Sequence, residues 1–160
     1  MRVFIAEDDA SMREALAAAL GASGYETTEA RDGANLLELL EDAMSDPGRC
    51  PDVIVADVRM PVLSGFGILS ALRRAQTNIP VVLITAMRDP SMHTVAVRLG
   101  AMGFLQKPFG MEDLLSAVRS AFDHHRAADR LAGLDAGGHR RSGEGARVNG
   151  ASDAGGSRRQ

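Results

Sequence analysis

The sequence predicts an α/β fold in which five parallel strands form a doubly wound sheet with helices on both faces. Five short apolar segments rich in β-branched residues begin 23, 27, 28 and 22 residues apart, about the length of one βα unit. Segments with helical periodicity separate them. This strict alternation favours a parallel sheet, because every crossover between parallel strands leaves a helix on one face.

The boundaries of the predicted elements carry their own signals. Asp89-Pro90 is typical of a helix N-cap followed by proline at the first helical position, and Gly24 and Gly100 follow helical segments as stop signals. The predicted strands are residues 2–7, 25–30, 52–57, 80–85 and 102–106. The apolar positions at helical spacing include Leu16 and Leu20, Leu36 and Leu40, Leu69 and Leu72, Val95 and Leu99, and Leu114 and Val118.

Charge divides the 160-residue chain into an acidic body and a basic end. Residues 1–125 contain 17 acidic and 11 basic residues (net −6), whereas residues 126–160 contain 4 acidic and 7 basic residues (net +3). From Gly133 onward the chain has 8 of its 17 glycines and almost no large apolar residue, a composition that cannot offset the entropy of ordering. We predict one folded domain over 1–125, and over 126–160 the end of the last helix and a disordered Gly/Arg-rich tail of about the last 28 residues.

We expect a cytoplasmic protein without a membrane partner. The single cysteine, Cys50, cannot form an internal disulfide, and the start of the chain is too short and too soon acidic for a signal peptide. No apolar run approaches the roughly 20 residues of a membrane span.

Polar side chains gather where the predicted strands end. Asp57 ends a strand that is apolar after its first residue, Asp52. Glu7-Asp8-Asp9 follows the first strand, and Thr85 and Lys107 close the fourth and fifth. Ligands of open parallel sheets bind beyond the carboxyl ends of the strands. A strand needs no charge at its last position, so we interpret Asp57 as a functional group.

The chemistry of these side chains points to phosphoryl transfer. Crowded carboxylates repel one another unless a proton or a divalent cation intervenes. Two or three carboxylates with water suit Mg²⁺, which also accepts phosphate oxygens as ligands. Asp57 would be the nucleophile, while Thr85 and Lys107 would hold the other phosphoryl oxygens.

These motifs resemble the receiver domain of two-component response regulators, over residues 1 to about 124. Each motif is weak alone, but all of them occur in order at the ends of strands one, three, four and five. The motifs are Glu7-Asp8, Asp57 with Met60-Pro61 and Gly65, Thr85-Ala86, and Lys107-Pro108-Phe109.

The resemblance implies the flavodoxin-like strand order 2-1-3-4-5 and a role for each matched residue. Asp57 would accept a phosphoryl group from the phosphohistidine of a sensor histidine kinase, and Thr85 and Lys107 would contact the phosphoryl oxygens. Phe104 would change rotamer together with Thr85, and Lys107-Pro108 would be a cis peptide. The implied Mg²⁺ ligands are Glu7, Asp8, Asp57 and the backbone carbonyl of Arg59.

Some positions leave the pattern ambiguous or depart from it. Because three acids are consecutive, the motif alone does not show which two form the acidic pair. Met12 and Arg13 are placed as in the family and favour Glu7 and Asp8. Asp9 would then cap the first helix. Val62 and Ser64 differ from the residues common in the family. The resemblance also implies that Arg59 and Met87 would flank the route of the hydrolytic water, so they should alter the phosphoryl lifetime.

The favoured hypothesis is a signalling switch that catalyses only its own phosphorylation and dephosphorylation, and so is not otherwise an enzyme. Phosphorylation would bias a surface of helix four, strand five and helix five, including His93, Phe104 and residues 111–122, for a downstream protein or phosphotransfer partner. We expect a monomer or a phosphorylation-dependent dimer. Seven arginines diluted by glycine are a weak nucleic-acid footprint, so we expect no nucleic-acid partner.

Two alternatives stay open. The chain could be a DNA-binding transcription regulator that acts through the basic tail or through an effector domain outside this sequence. It could also be an enzyme proper, such as an aspartate-nucleophile phosphatase or a flavin protein. That alternative lacks the Asp-x-Asp pair or the phosphate-binding loop after strand one that it requires.

Overall fold

The computed structural model describes residues 1–137 and confirms the predicted sheet. Its five strands are all parallel and lie in the order β2-β1-β3-β4-β5, as expected for a flavodoxin-like sheet. Each strand lies within one residue of its predicted bounds. The strands are β1 (Arg2–Ala6), β2 (Glu26–Ala30), β3 (Val53–Asp57), β4 (Val81–Thr85) and β5 (Gly103–Gln106).

Five α-helices connect or follow the strands, and capping side chains set where four of them begin. The carboxylate or hydroxyl of Asp9, Asp32, Ser64 and Asp89 accepts a backbone N–H of the first turn. Gly24 and Gly100 have φ values of 82° and 83° and end the helices before them, as predicted. The helices are α1 (Ala10–Ala22), α2 (Gly33–Met44), α3 (Gly65–Arg74), α4 (Pro90–Arg98) and α5 (Met111–Gly137).

The sheet separates two hydrophobic cores. In β3, Val53 and Val55 face the core that α1 and α5 cover, while Ile54 and Ala56 face the core of α2, α3 and α4. This two-residue period places apolar side chains on both faces of every inner strand. The inner strands are therefore apolar except at their ends, where Arg2 begins β1, Asp57 ends β3 and Thr85 ends β4.

Helix α5 extends further than the sequence predicted. It runs through Gly137, whereas we placed the start of the disordered tail near Gly133. The chain beyond His125 contains good helix formers such as Ala127 and Arg130, and His125 lies 3.3 Å from Asp129 one turn later, which supports the helical conformation. The rest of the predicted tail lies outside the described residues, and the division at residue 125 stays a prediction.

The length of α5 does not make it a membrane span. It has 27 residues, but acidic and basic side chains recur along it. Among residues 1–137, none of the helices combines the length and the apolar composition needed to cross a membrane.

Candidate functional site

The fold brings the strand-end residues to one edge of the sheet. Asp57 is the last residue of β3 and lies beside Ile84 of β4, while Thr85 ends β4 beside Gln106 of β5. All five strands run in the same direction, so side chains at their carboxyl ends must meet there. Asp57 and Thr85 are both buried. Burial is unusual for an aspartate and indicates a functional site.

Lys107 connects the acid after β1 with the acid at the end of β3. Its Nζ donates a hydrogen bond to Glu7 Oε2 over 2.8 Å and lies 3.4 Å from Asp57 Oδ1. The contact between Lys107 Nζ and Asp57 Oδ1 is electrostatic, because the two groups are not aligned as in a hydrogen bond. The backbone N–H of Lys107 also donates to the carbonyl of Thr85 over 2.7 Å, which fixes Lys107 against the end of β4.

Asp57 is buried with an unsatisfied oxygen. The residue is 5% exposed, and among residues 1–137 no hydrogen-bond donor reaches its Oδ1. Burial raises the pKa of this carboxyl, and the nearby Lys107 ammonium opposes the shift without cancelling it. The contact of Oδ1 is the Lys107 ammonium 3.4 Å away, and a carboxylate oxygen can accept more than one such partner, so this oxygen can still receive a further ligand.

Glu7 is buried still more completely. It is 1% exposed, and burial raises the pKa of its carboxyl, although the hydrogen bond from Lys107 favours the charged form. Burial alone would lower the pKa of Lys107, but the hydrogen bond to Glu7 and the charge of Asp57 outweigh it and the pKa is raised. Lys107 is therefore a fixed cation between two carboxylates.

The predicted metal ligands Glu7, Asp8 and Asp57 lie together. One carboxylate oxygen from each lies within 4.8 Å of the others. An all-oxygen set of this kind, with one buried oxygen lacking a donor, fits Mg²⁺. Arg59 follows β3 by two residues with an exposed side chain, and the role of its carbonyl stays a prediction.

The three consecutive acids Glu7, Asp8 and Asp9 make different contacts. The carboxylate of Asp9 accepts the N–H of Met12 over 2.7 Å and caps α1. Its own N–H donates to Glu7 Oε1 over 3.2 Å. Asp8 is exposed, and one of its carboxylate oxygens lies within 4.8 Å of an oxygen of Glu7 and of Asp57. Geometry thus favours the expected register, with Glu7 and Asp8 as the acidic pair.

The predicted switch residues are placed on two neighbouring strands. Thr85 Oγ1 accepts the N–H of Met87 over 3.0 Å. Phe104 in β5 is half-buried, and the ring of His93 from α4 meets it edge-on with centroids 5.6 Å apart. The sequence placed His93 on this surface without a role, and a lone histidine at a helical position gives no signal for such a contact.

The loop after Asp57 contains Gly65, which belongs to the motif, and Val62, which departs from the family pattern. A Cβ on Gly65 would lie 2.6 Å from the carbonyl oxygen of Asp57, so glycine is needed for α3 to begin so close to the site. Val62 has a φ of 68°, a left-handed conformation that strains a β-branched residue, and is 86% exposed. Glycine adopts such a φ without this strain and would therefore suit position 62 better than valine does.

Sequence reasoning used Arg13 only to fix the acidic register. In the structure its Nη1 donates to the backbone carbonyl of Glu7 over 2.8 Å, and its Nε lies 3.4 Å from Glu29 of β2. The arginine stands one helical turn after the acidic motif, which is a positional signal, but the choice of a main-chain acceptor was not visible in the sequence.

Known proteins with this pattern are response regulators. The chain is 32% identical over 124 residues to the DNA-binding transcriptional regulator NtrC of Escherichia coli K12, covering 78% of this chain and 25% of NtrC. It is 33% identical over 129 residues to the response regulator MprA of Mycobacterium avium, covering 81% of this chain and 54% of MprA. The chain thus spans between a quarter and about half of these relatives.

Solved structures agree with the sequence relatives. The chemotaxis protein CheY4 of Vibrio cholerae superposes with a TM-score of 0.65 at 32% identity, covering 75% of this chain and 97% of CheY4. The family model described as the response regulator receiver domain matches residues 3–119, the segment that contains the sheet except Arg2 and every residue of the site at the carboxyl ends of the strands. The chain therefore belongs to the receiver-domain family of two-component response regulators.

Proposed function

We propose that this chain is a phosphoryl-accepting signalling switch in which Asp57 takes a phosphoryl group from a histidine kinase in the presence of Mg²⁺. The observation that carries the proposal is the buried Asp57 carboxylate, whose Oδ1 accepts no hydrogen bond within residues 1–137 and lies 3.4 Å from the Lys107 ammonium. Membership of the receiver family implies a histidine kinase as the donor.

The transfer step needs a nucleophile and a way to accommodate charge. A carboxylate oxygen of Asp57 forms the new O–P bond while the N–P bond of the phosphohistidine breaks, and the imidazole leaves with that electron pair. When bound, Mg²⁺ neutralises charge on the phosphoryl oxygens. Glu7, Asp8 and Asp57 would hold the ion, together with the predicted carbonyl of Arg59.

The residues around Asp57 would then respond to the product. The phosphoryl group brings about −1.5 to −2 charges into an acidic site, so the Lys107 ammonium gains a stronger partner than Glu7. Thr85 Oγ1, which accepts the N–H of Met87, would turn towards a phosphoryl oxygen and release that amide. Phe104 and His93 would follow, changing the α4-β5-α5 surface for a downstream protein.

This proposal makes the chain a switch and not an enzyme acting on other substrates. Its chemistry is limited to forming its own acyl phosphate and hydrolysing it. Arg59 and Met87, two residues beyond Asp57 and Thr85, would set how long the phosphoryl group persists.

A second candidate comes from the relatives. NtrC is named a DNA-binding regulator, so our expectation that nucleic acid is no partner is not supported. The chain spans 25% of NtrC, and the receiver could regulate a DNA-binding segment outside the described residues. A gel shift that appears at low salt and weakens as salt rises would favour this candidate.

Labelling with acetyl phosphate and MgCl₂ tests the main proposal. We expect one phosphoryl group per chain by intact mass spectrometry, stable in acid and lost in base, and no labelling when EDTA is present. Asp57→Asn should abolish it. The matched control is Asp52→Asn at the other end of the same strand, where the carboxylate accepts the N–H of Arg2 over 2.7 Å.

The control separates loss of the acceptor from general damage to β3. Asp52→Asn should label as the wild type does. Undiminished labelling of Asp57→Asn would overturn the proposal, and so would equal loss in both variants.

A further inference from the structure

We propose that Arg13 is a positioning residue that holds the metal-binding acids in place, an inference that rests on the proposed function. Arg13 touches neither Asp57 nor a carboxylate of the acidic cluster. It holds the backbone from which Glu7 and Asp8 project. Its action on the site would therefore be mechanical.

The contact falls on the peptide that links the two acids. Nη1 of Arg13 donates to the carbonyl oxygen of Glu7 over 2.8 Å. That carbonyl belongs to the planar peptide between Glu7 and Asp8, so holding its oxygen fixes the orientation of the whole unit. The Asp8 side chain is exposed, so its surroundings restrain it less than they restrain the buried side chain of Glu7. The backbone is what directs its carboxylate towards those of Glu7 and Asp57.

Arg13 is itself held in place. Its Nε lies 3.4 Å from Glu29 Oε2, and its side chain is 18% exposed. Glu29 belongs to β2 and pairs with Ile5 of β1. The guanidinium therefore bridges the start of α1, the end of β1 and the neighbouring strand. A planar fork with several donors can make both contacts at once, which an ammonium cannot do as well.

The sign of the effect distinguishes positioning from charge. A guanidinium near a cation site repels the cation, so removing Arg13 should strengthen Mg²⁺ binding if charge alone mattered. Loss of a group that orients a ligand typically weakens metal binding by about 10- to 100-fold. The two explanations predict opposite changes.

Arg2 provides a matched control on the same two strands. It also pairs with a glutamate of β2, Glu26, over 2.9 Å and also donates to a backbone carbonyl, that of Gly48. It lies at the amino end of β1, away from the acidic cluster. Arg2→Ala thus removes a similar guanidinium bridge without touching the site.

The test measures Mg²⁺ affinity by titration calorimetry with MgCl₂, and the free energy of unfolding by urea denaturation. We expect Arg13→Ala to bind Mg²⁺ about tenfold more weakly or worse, Arg2→Ala to bind as the wild type does, and Arg13→Lys to fall between. Glu29→Gln, which keeps the donor to Glu7, should weaken binding less than Arg13→Ala.

Each outcome has a defined meaning. Unchanged or tighter binding in Arg13→Ala overturns the inference, as does an equal loss in Arg13→Ala and Arg2→Ala. If Arg13→Ala does not fold, Arg13→Lys and Glu29→Gln decide, and affinities equal to wild type overturn it. Failure of the wild type to bind Mg²⁺ would instead contradict the metal in the proposed function.

Discussion

Lys107 donates its hydrogen bond to Glu7 at 2.8 Å and stands 3.4 Å from Asp57. The ammonium is thus hydrogen-bonded to Glu7, while Oδ1 of Asp57, the proposed phosphoryl acceptor, accepts no hydrogen bond within residues 1–137. A phosphoryl group on Asp57 would offer Lys107 a more strongly charged partner. The change of partner would couple the chemistry to the rest of the site.

The first prediction concerns this change of partner. Lys107→Ala should still accept some phosphoryl group but should lose the conformational response. The ring resonances of His93, which meets Phe104 edge-on, report that response by NMR. We expect them to shift on phosphorylation of the wild type and of Arg74→Ala, an exposed α3 control outside that surface. A full shift in Lys107→Ala would remove Lys107 from the switch.

The second prediction is that Asp57→Asn makes the protein more stable near pH 7. The pKa of Asp57 is raised in the folded state, chiefly by burial, so the folded state binds this proton more tightly than the unfolded state does. Stability is then greatest below the unfolded pKa and falls as pH rises through the folded pKa. Replacing the buried charge should raise the free energy of unfolding by about 1–2 kcal/mol.

The pH dependence checks the cause of that gain. As pH falls through the raised pKa of Asp57, the wild-type carboxyl takes up a proton and the advantage of the amide should shrink. Glu7 also has a raised pKa, chiefly through burial and in part through the charge of Asp57, so the difference between the two proteins reports Asp57 together with its effect on Glu7. Urea denaturation at several pH values measures it. A variant that is less stable at pH 7 contradicts the prediction.

The third prediction separates Asp8 from Asp9. Asp8→Asn should leave the unfolding free energy nearly unchanged without metal but should lose the stabilisation by MgCl₂, which reaches about 2.7 kcal/mol at 100 times Kd. Asp9→Ala should lose about 1 kcal/mol through the missing helix cap and keep that stabilisation. Thermal denaturation with and without MgCl₂ gives both values. The reverse result would assign the metal to Asp9.

The fourth prediction concerns the strained loop beside Asp57. Val62→Gly should raise the free energy of unfolding by about 1 kcal/mol, because relief of the φ of 68° outweighs the entropy lost by glycine. Gln76 has a φ of 55° but no β-branch, so Gln76→Gly should gain less. Denaturation in urea measures both, and a destabilised Val62→Gly protein would show that the loop is not strained.

The sheet could be predicted from the sequence, because burial on both faces requires apolar residues along each inner strand. Strand β3 shows this clearly, since all four residues from Val53 to Ala56 are apolar and fully buried. Asp57 then stands out as the one acid in the strand. The end of α5 was less accessible, because helix formers and glycines mix beyond His125 and neither pattern dominates.

By itself, the sequence determined the α/β fold, the ends of the strands and the side chains that meet there, since strand direction and a two-residue period follow from local pattern. Only the tertiary structure decided that Lys107 bonds Glu7 and that Arg13 holds the carbonyl between Glu7 and Asp8. The first contact joins residues 100 positions apart, and the second depends on how α1 packs against the end of β1. No spacing along the sequence encodes them.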